Sequence, residues 1–218
     1  MLFYIYTTFI VPATVLIPIA YAFINYRSLT RAFKIILAFI IFSAVMNTIA
    51  SVMARGYHMR TTGIYHIYTP FEFGFIAAFF SEFYNKRIRN ILYALIVVFA
   101  VFCVLNTVFI ESMMKMDSNA RSVDAIILII LCMLFFAKNN SDLDSRWADH
   151  ASNWVVAGLL LYYGSSLFMF IFFDNLTRDD IMTYVIWTLN ATILVIEYIL
   201  FAIGFHKCRA QQTISTSR

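Results

Sequence analysis

The chain has 218 residues, of which 62% are hydrophobic and only 13% are charged, and it carries a net charge of +4. A soluble domain carries about 25% charged residues, so the polar surface that a water-soluble globule needs is missing. The basic residues stand in short clusters between apolar runs, which favours membrane topology over nucleic-acid binding as the reason for the charge. Composition therefore predicts an integral membrane protein that contacts the lipid bilayer and binds no nucleic acid.

Seven apolar runs are long enough to be membrane spans, which need ~20 residues to cross ~30 Å of hydrocarbon. We interpret them as helices, because they are too long and too uniformly apolar for the alternating strands of a barrel. The predicted fold is an all-α, polytopic membrane bundle, with residues 1–206 as the transmembrane domain and 207–218 as a short cytoplasmic tail. The seven predicted spans are 2–24, 33–54, 64–84, 88–110, 122–138, 153–173 and 181–205.

Two of these runs have an alternative interpretation. The first lacks a preceding Lys or Arg and is too long for the apolar region of a secretory signal, so we expect a retained helix that bends at Pro12 and Pro18. The fifth is the weakest span, because only 125–137 is free of charge. It is long enough if Arg121 and Lys138 extend toward the two interfaces, and a re-entrant segment is the alternative.

The Lys and Arg residues between the runs predict the orientation of the bundle. The segments that follow odd-numbered spans, including the C-terminal one, hold 11 of the 16 basic residues, and those after even-numbered spans hold 5. Cytoplasmic segments carry the excess of basic residues. The predicted C-terminus is therefore cytoplasmic, the N-terminus is outside, and the chain is a multi-pass protein of the plasma or inner membrane.

Few ionisable side chains lie inside the apolar runs, and such groups are functional candidates because they are costly in lipid. Glu72 and Glu197 are candidate proton sites. The alternative interpretation of His66 is a histidine at the membrane interface. The alternative for Asp124 is a carboxylate at a helix N-terminus that interacts favourably with the helix dipole. Helical spacing places Tyr65, Tyr68 and Glu72 on one face of the third helix, and His66 about 120° away from Glu72.

Polar and aromatic stripes on four of the helices predict a ligand-binding cavity in the outer half of the bundle. We expect the second, third, sixth and seventh helices to pack together through these stripes, because each is costly if turned to lipid. The alternative for the asparagines is a structural hydrogen bond between helices. The predicted ligand-binding residues are Asn47, Tyr65, His66, Tyr68, Glu72, Tyr162, Ser165, Trp187 and Asn190.

Motifs for catalysis and metal binding are missing from the sequence. It contains no HExxH zinc motif, no GxSxG nucleophile elbow and no phosphate-binding loop with its lysine. The three cysteines form neither a disulfide pattern nor a CxxC metal site. We therefore expect no catalytic residue, no metal and no cofactor, and an intramembrane enzyme that uses His66 and Glu72 is the least favoured alternative.

The segment Tyr65–Phe73 (YHIYTPFEF), together with Trp187-x-x-Asn190 in the last helix, resembles a pattern in small uncharacterised seven-helix bacterial membrane proteins. Similar modules form the membrane part of some sensor histidine kinases. The resemblance covers two short stretches and implies a sensory or regulatory module with Glu72 and Asn190 in its core. Because no kinase domain accompanies it, signalling would need a partner membrane or signalling protein.

Two functions remain open at this point. The first is a sensory or regulatory module that binds a small ligand, or a partner's membrane helix, in the outer half of the bundle. The second is a small secondary transporter that uses Glu72 or Glu197 as a proton or substrate site. We favour the first, because transporters commonly show repeated halves and broken helices, and neither is visible here.

Overall fold

The computed structural model describes residues 6–111, 113, 117–139, 147–172 and 181–216, with side chains described at 6–111, 113, 117–139, 147–169 and 184–208. These residues form helices with no strand among them, which confirms the all-α class. Short 3-10 turns also occur at Tyr26–Ser28 and Trp147–Asp149. The long helices in the described part are α1 (Tyr6–Ile24), α2 (Arg31–Gly56), α3 (Thr62–Ser81), α4 (Lys86–Phe109), α5 (Ser118–Asn139), α6 (Ala151–Phe172) and α7 (Ile181–Thr216).

Five of these helices are long and apolar enough to cross a membrane: α1, α2, α4, α5 and α7. The helices α3 and α6 have 20 and 22 residues. α5 is continuous over 22 residues. The fifth apolar run, the weakest of the predicted spans, therefore forms a helix of spanning length.

The last helix extends beyond its predicted end. α7 has 36 residues and reaches Thr216, so it runs through most of the segment predicted as a tail. At 1.5 Å per residue its length is about 54 Å, longer than the ~30 Å hydrocarbon core. Its apolar span covers Tyr184–Cys208, and the remaining turns have a polar composition.

The chain divides into two compact units. We call Met1–Lys34 together with Ala125–Arg218 the terminal unit, and Ile35–Asp124 the middle unit. The boundaries fall inside α2 and α5, so each of these helices contributes to both units.

In the terminal unit, α7 packs against both α6 and α1. Glycine allows the close approach of α6 and α7. A Cβ on Gly204 would lie 2.8 Å from Val155 Cγ2 and 3.1 Å from the Ala151 carbonyl oxygen. A Cβ on Gly158 would lie 3.2 Å from the Phe201 ring. Small residues at helix contacts are the usual means of close packing in membranes.

In the middle unit, α3 packs against α4 through aromatic and aliphatic side chains. The Phe73 and Phe99 rings lie 4.3 Å apart between centroids, and both residues are buried. Ile76, Phe79 and Phe80 of α3 are fully buried as well. This apolar packing occupies the C-terminal half of α3, whereas the N-terminal half carries its polar residues.

A buried acidic cluster as the candidate functional site

Polar side chains collect in the middle unit where α3 begins, α4 ends and α5 begins. All of them are less than 9% exposed. Four of the side chains carry a carboxyl group, and only Arg121 and His66 can carry a positive charge. We call this group the acidic cluster, and its members are His66, Glu72, Asn106, Glu111, Asp117, Arg121 and Asp124.

One face of α5 supplies three members of the cluster. Asp117, Arg121 and Asp124 are spaced i, i+4 and i+7, which places them on the same side of a helix. Asp117 stands immediately before the helix, and its carbonyl oxygen accepts a hydrogen bond from the Arg121 amide at 3.2 Å. The helix therefore begins with a charged stripe that turns into the protein rather than toward its surface.

Glu111, in the connection between α4 and α5, caps the first turn of α5. Its Oε1 accepts a hydrogen bond from the Ser118 hydroxyl at 2.8 Å and from the Asn119 amide at 3.2 Å. A carboxylate is stabilised at a helix N-terminus by these free amides and by the helix dipole. Glu111 therefore has partners suited to a negative charge.

Asn106, near the end of α4, joins two of the carboxyl groups. Its Nδ2 donates to Glu111 Oε2 at 2.8 Å and to Asp117 Oδ1 at 3.2 Å. The remaining oxygens, Asn106 Oδ1 and Asp117 Oδ2, are buried without a hydrogen-bond donor among the described residues. Buried acceptors normally have a donor, and a proton on the Asp117 carboxyl would supply one hydrogen at this place.

The hydrogen bonds of His66 determine its tautomer. His66 Nδ1 lies 2.9 Å from Thr107 Oγ1, and Thr107 Oγ1 donates to the Cys103 carbonyl oxygen at 2.9 Å. A threonine hydroxyl has a single hydrogen, so Thr107 must accept from His66 and Nδ1 must carry a hydrogen. The same Nδ1 lies 3.7 Å from Asp117 Oδ1, within ion-pair distance once the imidazole is protonated.

Aromatic rings cover the single guanidinium of the cluster. The Arg121 Cζ atom lies 4.9 Å from the centroid of the Tyr65 ring and 5.6 Å from that of Tyr68. Such cation–π contacts stabilise a buried cation. The Tyr68 hydroxyl donates to Glu72 Oε1 at 3.3 Å and lies 3.1 Å from the Ser43 hydroxyl of α2. The two tyrosines therefore position Arg121 within the cluster.

Asp124 lies deepest along α5 and is 2% exposed. It interacts electrostatically with Glu72, Arg121 and Asp117. Its Oδ1 has no hydrogen-bond donor among the described residues. The sequence interpretation of Asp124 as a residue that favours the helix dipole therefore leaves out its place in the cluster.

Burial and neighbouring charges act on Asp117 in opposite directions. Burial raises the pKa of the Asp117 carboxyl above its ordinary value, whereas the positive charge available to His66, a hydrogen bond from the Thr69 side chain and the charge of Arg121 lower it. The nearby Glu111 carboxylate raises the pKa further. The net effect is a raised pKa, because removal from water is the largest of these contributions.

Of the predicted site residues, the structure brings together the four on α3. Tyr65, His66, Tyr68 and Glu72 all take part in the acidic cluster or its surroundings. Asn47 on α2 is exposed, and its Nδ2 donates to the Ser43 carbonyl oxygen at 3.0 Å. It therefore reaches this region only through Ser43.

The predicted residues of α6 and α7 lie in the terminal unit. The Ser166 hydroxyl donates to Asn190 Oδ1 at 2.6 Å across these two helices. Ser165 donates to the Tyr162 carbonyl oxygen at 2.9 Å, within its own helix. Trp187 is exposed. The Ser166–Asn190 hydrogen bond joins α6 to α7. Ser165 also lines a cavity of the terminal unit.

Glu197, the second candidate proton site, is 3% exposed and lies against α6. A Cβ on Gly158 would lie 3.4 Å from the Glu197 Cγ. The two candidate carboxylates therefore belong to different units, Glu72 to the middle one and Glu197 to the terminal one.

Sequence reasoning missed Glu111, Asp117 and Arg121 as site residues, because all three were assigned to a connection or to a helix end. The i, i+4, i+7 spacing of Asp117, Arg121 and Asp124 was the available signal. In a chain with so few charged residues, three of them on one face of a span indicate a buried charge network.

No group of three or more His, Cys, Asp or Glu in the described part of the chain is arranged to hold a metal ion. No protein-family model matches the chain, and no match was found among curated proteins or solved structures. The similarity to the membrane modules of sensor kinases therefore stays a prediction, and the argument for function depends on the acidic cluster.

Proposed function

We propose that the protein is a membrane sensory or regulatory module whose input site is the acidic cluster and whose ligand is a proton. The observation that carries this proposal is the buried excess of carboxyl groups over cationic groups. Full ionisation would set four negative charges, from Glu72, Glu111, Asp117 and Asp124, against the permanent charge of Arg121.

Proton uptake would relieve two unfavourable features of the cluster. These are its excess of negative charge and a buried carboxyl oxygen without a hydrogen-bond donor among the described residues. Burying an uncompensated charge is expensive, and a proton removes one negative charge. It also supplies a hydrogen to an oxygen that has no donor, as Asp117 Oδ2 has none among the described residues. A proton needs no cavity, and the raised pKa of Asp117 supports uptake at this carboxyl.

His66 is the natural second position for the proton. Its Nδ1 already carries a hydrogen, so an added proton would occupy Nε2 and form an imidazolium 3.7 Å from Asp117. The cluster joins the ends of α3, α4 and α5, so a change in its charge alters the contacts that hold these ends together, as in other protonation switches.

The proposed orientation gives this site access to the outside. Seven transmembrane helices with a cytoplasmic C-terminus, as the basic residues favour, place the start of α3, the end of α4 and the start of α5 on the outer side of the plasma or inner membrane. The output would pass to a partner membrane or signalling protein.

Cysteine labelling tests this orientation. Met113 is 57% exposed in the α4–α5 connection, Thr30 is exposed before α2, and the three native cysteines are buried. A membrane-impermeant maleimide should label Met113→Cys in intact cells and Thr30→Cys only after permeabilisation. Labelling of Thr30→Cys in intact cells would contradict the orientation.

A proton-coupled transporter is the second candidate, favoured by the burial of Glu72 and Glu197 inside helices. Liposomes that contain only this protein, loaded with a pH-sensitive dye, separate the two functions. A sensor should give no proton flux above that of empty liposomes under a pH gradient. Flux that disappears in Glu72→Gln would establish the transporter instead.

The sensor also predicts a pH-dependent change in hydrogen exchange at the start of α5. This change should disappear in Asp117→Asn and persist in the control Asp149→Asn, because the Asp149 side chain is 65% exposed. An exchange pattern that does not respond to pH in the unmodified protein would reject the proposal.

A further inference from the structure

A cavity of about 760 Å³ lies in the terminal unit, apart from the acidic cluster. It runs along one face of α6 and reaches the end of α5. Its volume falls within the usual range of small-molecule sites. Its walls include Phe136, Asn139, Trp147, His150, Leu160 and Gly164.

The cavity is polar at one end and apolar at the other. Asn139, His150 and Asn153 line the polar end, and Trp147 lies beside them. The apolar end follows α6 through Leu160 to Gly164 and Ser165, and the Ser165 hydroxyl is satisfied by the Tyr162 carbonyl oxygen of its own helix. This gradient matches a molecule with a polar head and a hydrocarbon chain, and tryptophan is common where the two regions meet in membranes.

The length of the cavity matches one membrane leaflet. Asn153, Ala157, Leu160 and Gly164 are spaced along one helix face, and the first and last are 11 residues apart. At 1.5 Å per residue this distance is about 17 Å. Half of the ~30 Å hydrocarbon core is about 15 Å, so an extended acyl chain of one leaflet fits along this face.

Gly164 keeps the apolar end of the cavity open. A Cβ placed on Gly164 meets no atom within 4 Å, whereas one on Gly158 or Gly204 meets the neighbouring helix. Gly164 is therefore not required for close packing of helices, and the space beside it is large enough to accept part of a ligand.

The polar end is ordered by hydrogen bonds and lies near basic side chains. Asn139 Nδ2 donates to Asn153 Oδ1 at 3.2 Å, and Asn153 Nδ2 donates to the Trp147 carbonyl oxygen at 2.9 Å. In sequence, Lys138 stands between two lining residues, Ala137 and Asn139. The charge of Lys207 is offset by Asp149, 3.7 Å away, so Lys138 is the lysine that we assign to the head group. Lysines at a membrane interface attract anionic lipid head groups.

We propose that this cavity binds one acyl chain of an anionic membrane phospholipid, with the head group at the Trp147 and His150 end. This inference does not depend on the proton-sensing proposal, because it uses a different unit and different residues. The apolar wall holds the chain and Lys138 attracts the head group.

Native mass spectrometry with palmitoyl-lysophosphatidylglycerol as the probe tests this site. In Gly164→Leu the Cβ meets no atom within 4 Å and the rest of the side chain extends into the apolar end. The fold should therefore persist while lipid affinity falls by about tenfold or more. The matched control is Gly63→Leu, because a Cβ on Gly63 also meets nothing within 4 Å and lies outside the cavity. This control should bind the probe as the unmodified protein does.

Palmitoyl-lysophosphatidylcholine, with the same chain and a neutral head group, tests the charge preference. It should bind more weakly than the phosphatidylglycerol form, and Lys138→Gln should remove most of that difference. Equal binding of the two lipids would overturn the proposed preference for an anionic head group. Equal lipid binding by Gly164→Leu and Gly63→Leu, with unchanged melting temperatures, would overturn the site.

Discussion

The two units of this protein hold their helices together in different ways. In the terminal unit, α6 and α7 approach closely because Gly204 has no side chain to separate them from Val155 and Ala151. In the middle unit, the ends of three helices are joined by a network of buried charges and hydrogen bonds. Steric packing has no dependence on proton concentration, whereas a charge network does. The proposed response to pH therefore belongs to the middle unit, and the close packing of α6 and α7 should be independent of pH.

The largest expected effect is the loss of the α6–α7 contact in Gly204→Leu. Even a Cβ at this position would lie 2.8 Å from Val155 Cγ2, and the next neighbour is main chain, which cannot rotate away. Gly204→Ala should cost about 1–3 kcal/mol by overpacking, and the leucine should prevent folding. Thermal unfolding in detergent measures both.

Gly164→Ala is the matched control, since a Cβ there meets nothing within 4 Å and alanine is the better helix former. Its melting temperature should equal or exceed that of the unmodified protein. An equal response of Gly204→Ala and Gly164→Ala would show that α6 and α7 do not pack as closely as described.

The next largest effect concerns the only permanent cation of the acidic cluster. Arg121→Gln removes the guanidinium and leaves the surrounding carboxyl groups without compensation. Breaking a buried ion pair by removing one partner costs about 3–5 kcal/mol, so the melting temperature should fall strongly. The second substitution Asp124→Asn should restore part of this loss, because it removes one of the carboxyl groups that Arg121 offsets. If the two substitutions change the melting temperature additively, Arg121 and Asp124 do not interact in one charge network.

Substitutions of Thr107 test the tautomer of His66, and their expected effect is smaller. Thr107→Val removes the acceptor of the His66 Nδ1 hydrogen, whereas Thr107→Ser keeps it. A buried donor without a partner costs about 1–3 kcal/mol. Valine should therefore lower the stability in denaturant or heat unfolding by that amount, and serine should lower it less. Equal stabilities of the two variants would show that Thr107 does not accept this hydrogen bond.

The smallest expected effect is the dependence of stability on pH. Because burial raises the pKa of Asp117, the folded protein holds this proton more tightly than the unfolded chain does. The bound proton stabilises the fold fully at pH values below the pKa of aspartate in the unfolded chain, about 3.9. This stabilisation is lost as the pH rises through the higher pKa of Asp117 in the folded protein. The melting temperature of the unmodified protein should therefore fall more than that of Asp117→Asn as the pH is raised from acidic to neutral. If the melting temperatures of the unmodified protein and of Asp117→Asn fall in parallel as the pH rises, the raised pKa does not belong to Asp117.

The sequence predicted the helical class and the approximate extent of the first six long helices in the described part of the chain, because apolar runs of this length have few other structures open to them. For the seventh it predicted the start, but the helix continues to Thr216. It also predicted that Tyr65, Tyr68 and Glu72 share one face of α3, and the Tyr68–Glu72 hydrogen bond agrees with that. Spacing along a single helix was enough for both results.

The acidic cluster was not predictable to the same extent, because its contacts join residues far apart in the chain. Asn106 binds Glu111 and Asp117 across the α4–α5 connection, and His66 reaches Thr107 of another helix. Periodicity gives the direction of a side chain on its own helix, but it does not identify the neighbouring helix. A carboxylate such as Glu111, which lies in a connection, also has no periodic pattern to mark it as buried.

Infrared difference spectroscopy between acidic and alkaline samples tests proton uptake by the cluster most directly. The account predicts a carbonyl band of a protonated carboxylic acid that titrates above the ordinary aspartate range of about 3.9. This band should be weaker in Asp117→Asn and unchanged in Asp149→Asn, where the carboxyl is largely exposed. The same band intensity in Asp117→Asn as in the unmodified protein, or the lack of any titrating band in the unmodified protein, would show that Asp117 does not bind the proton.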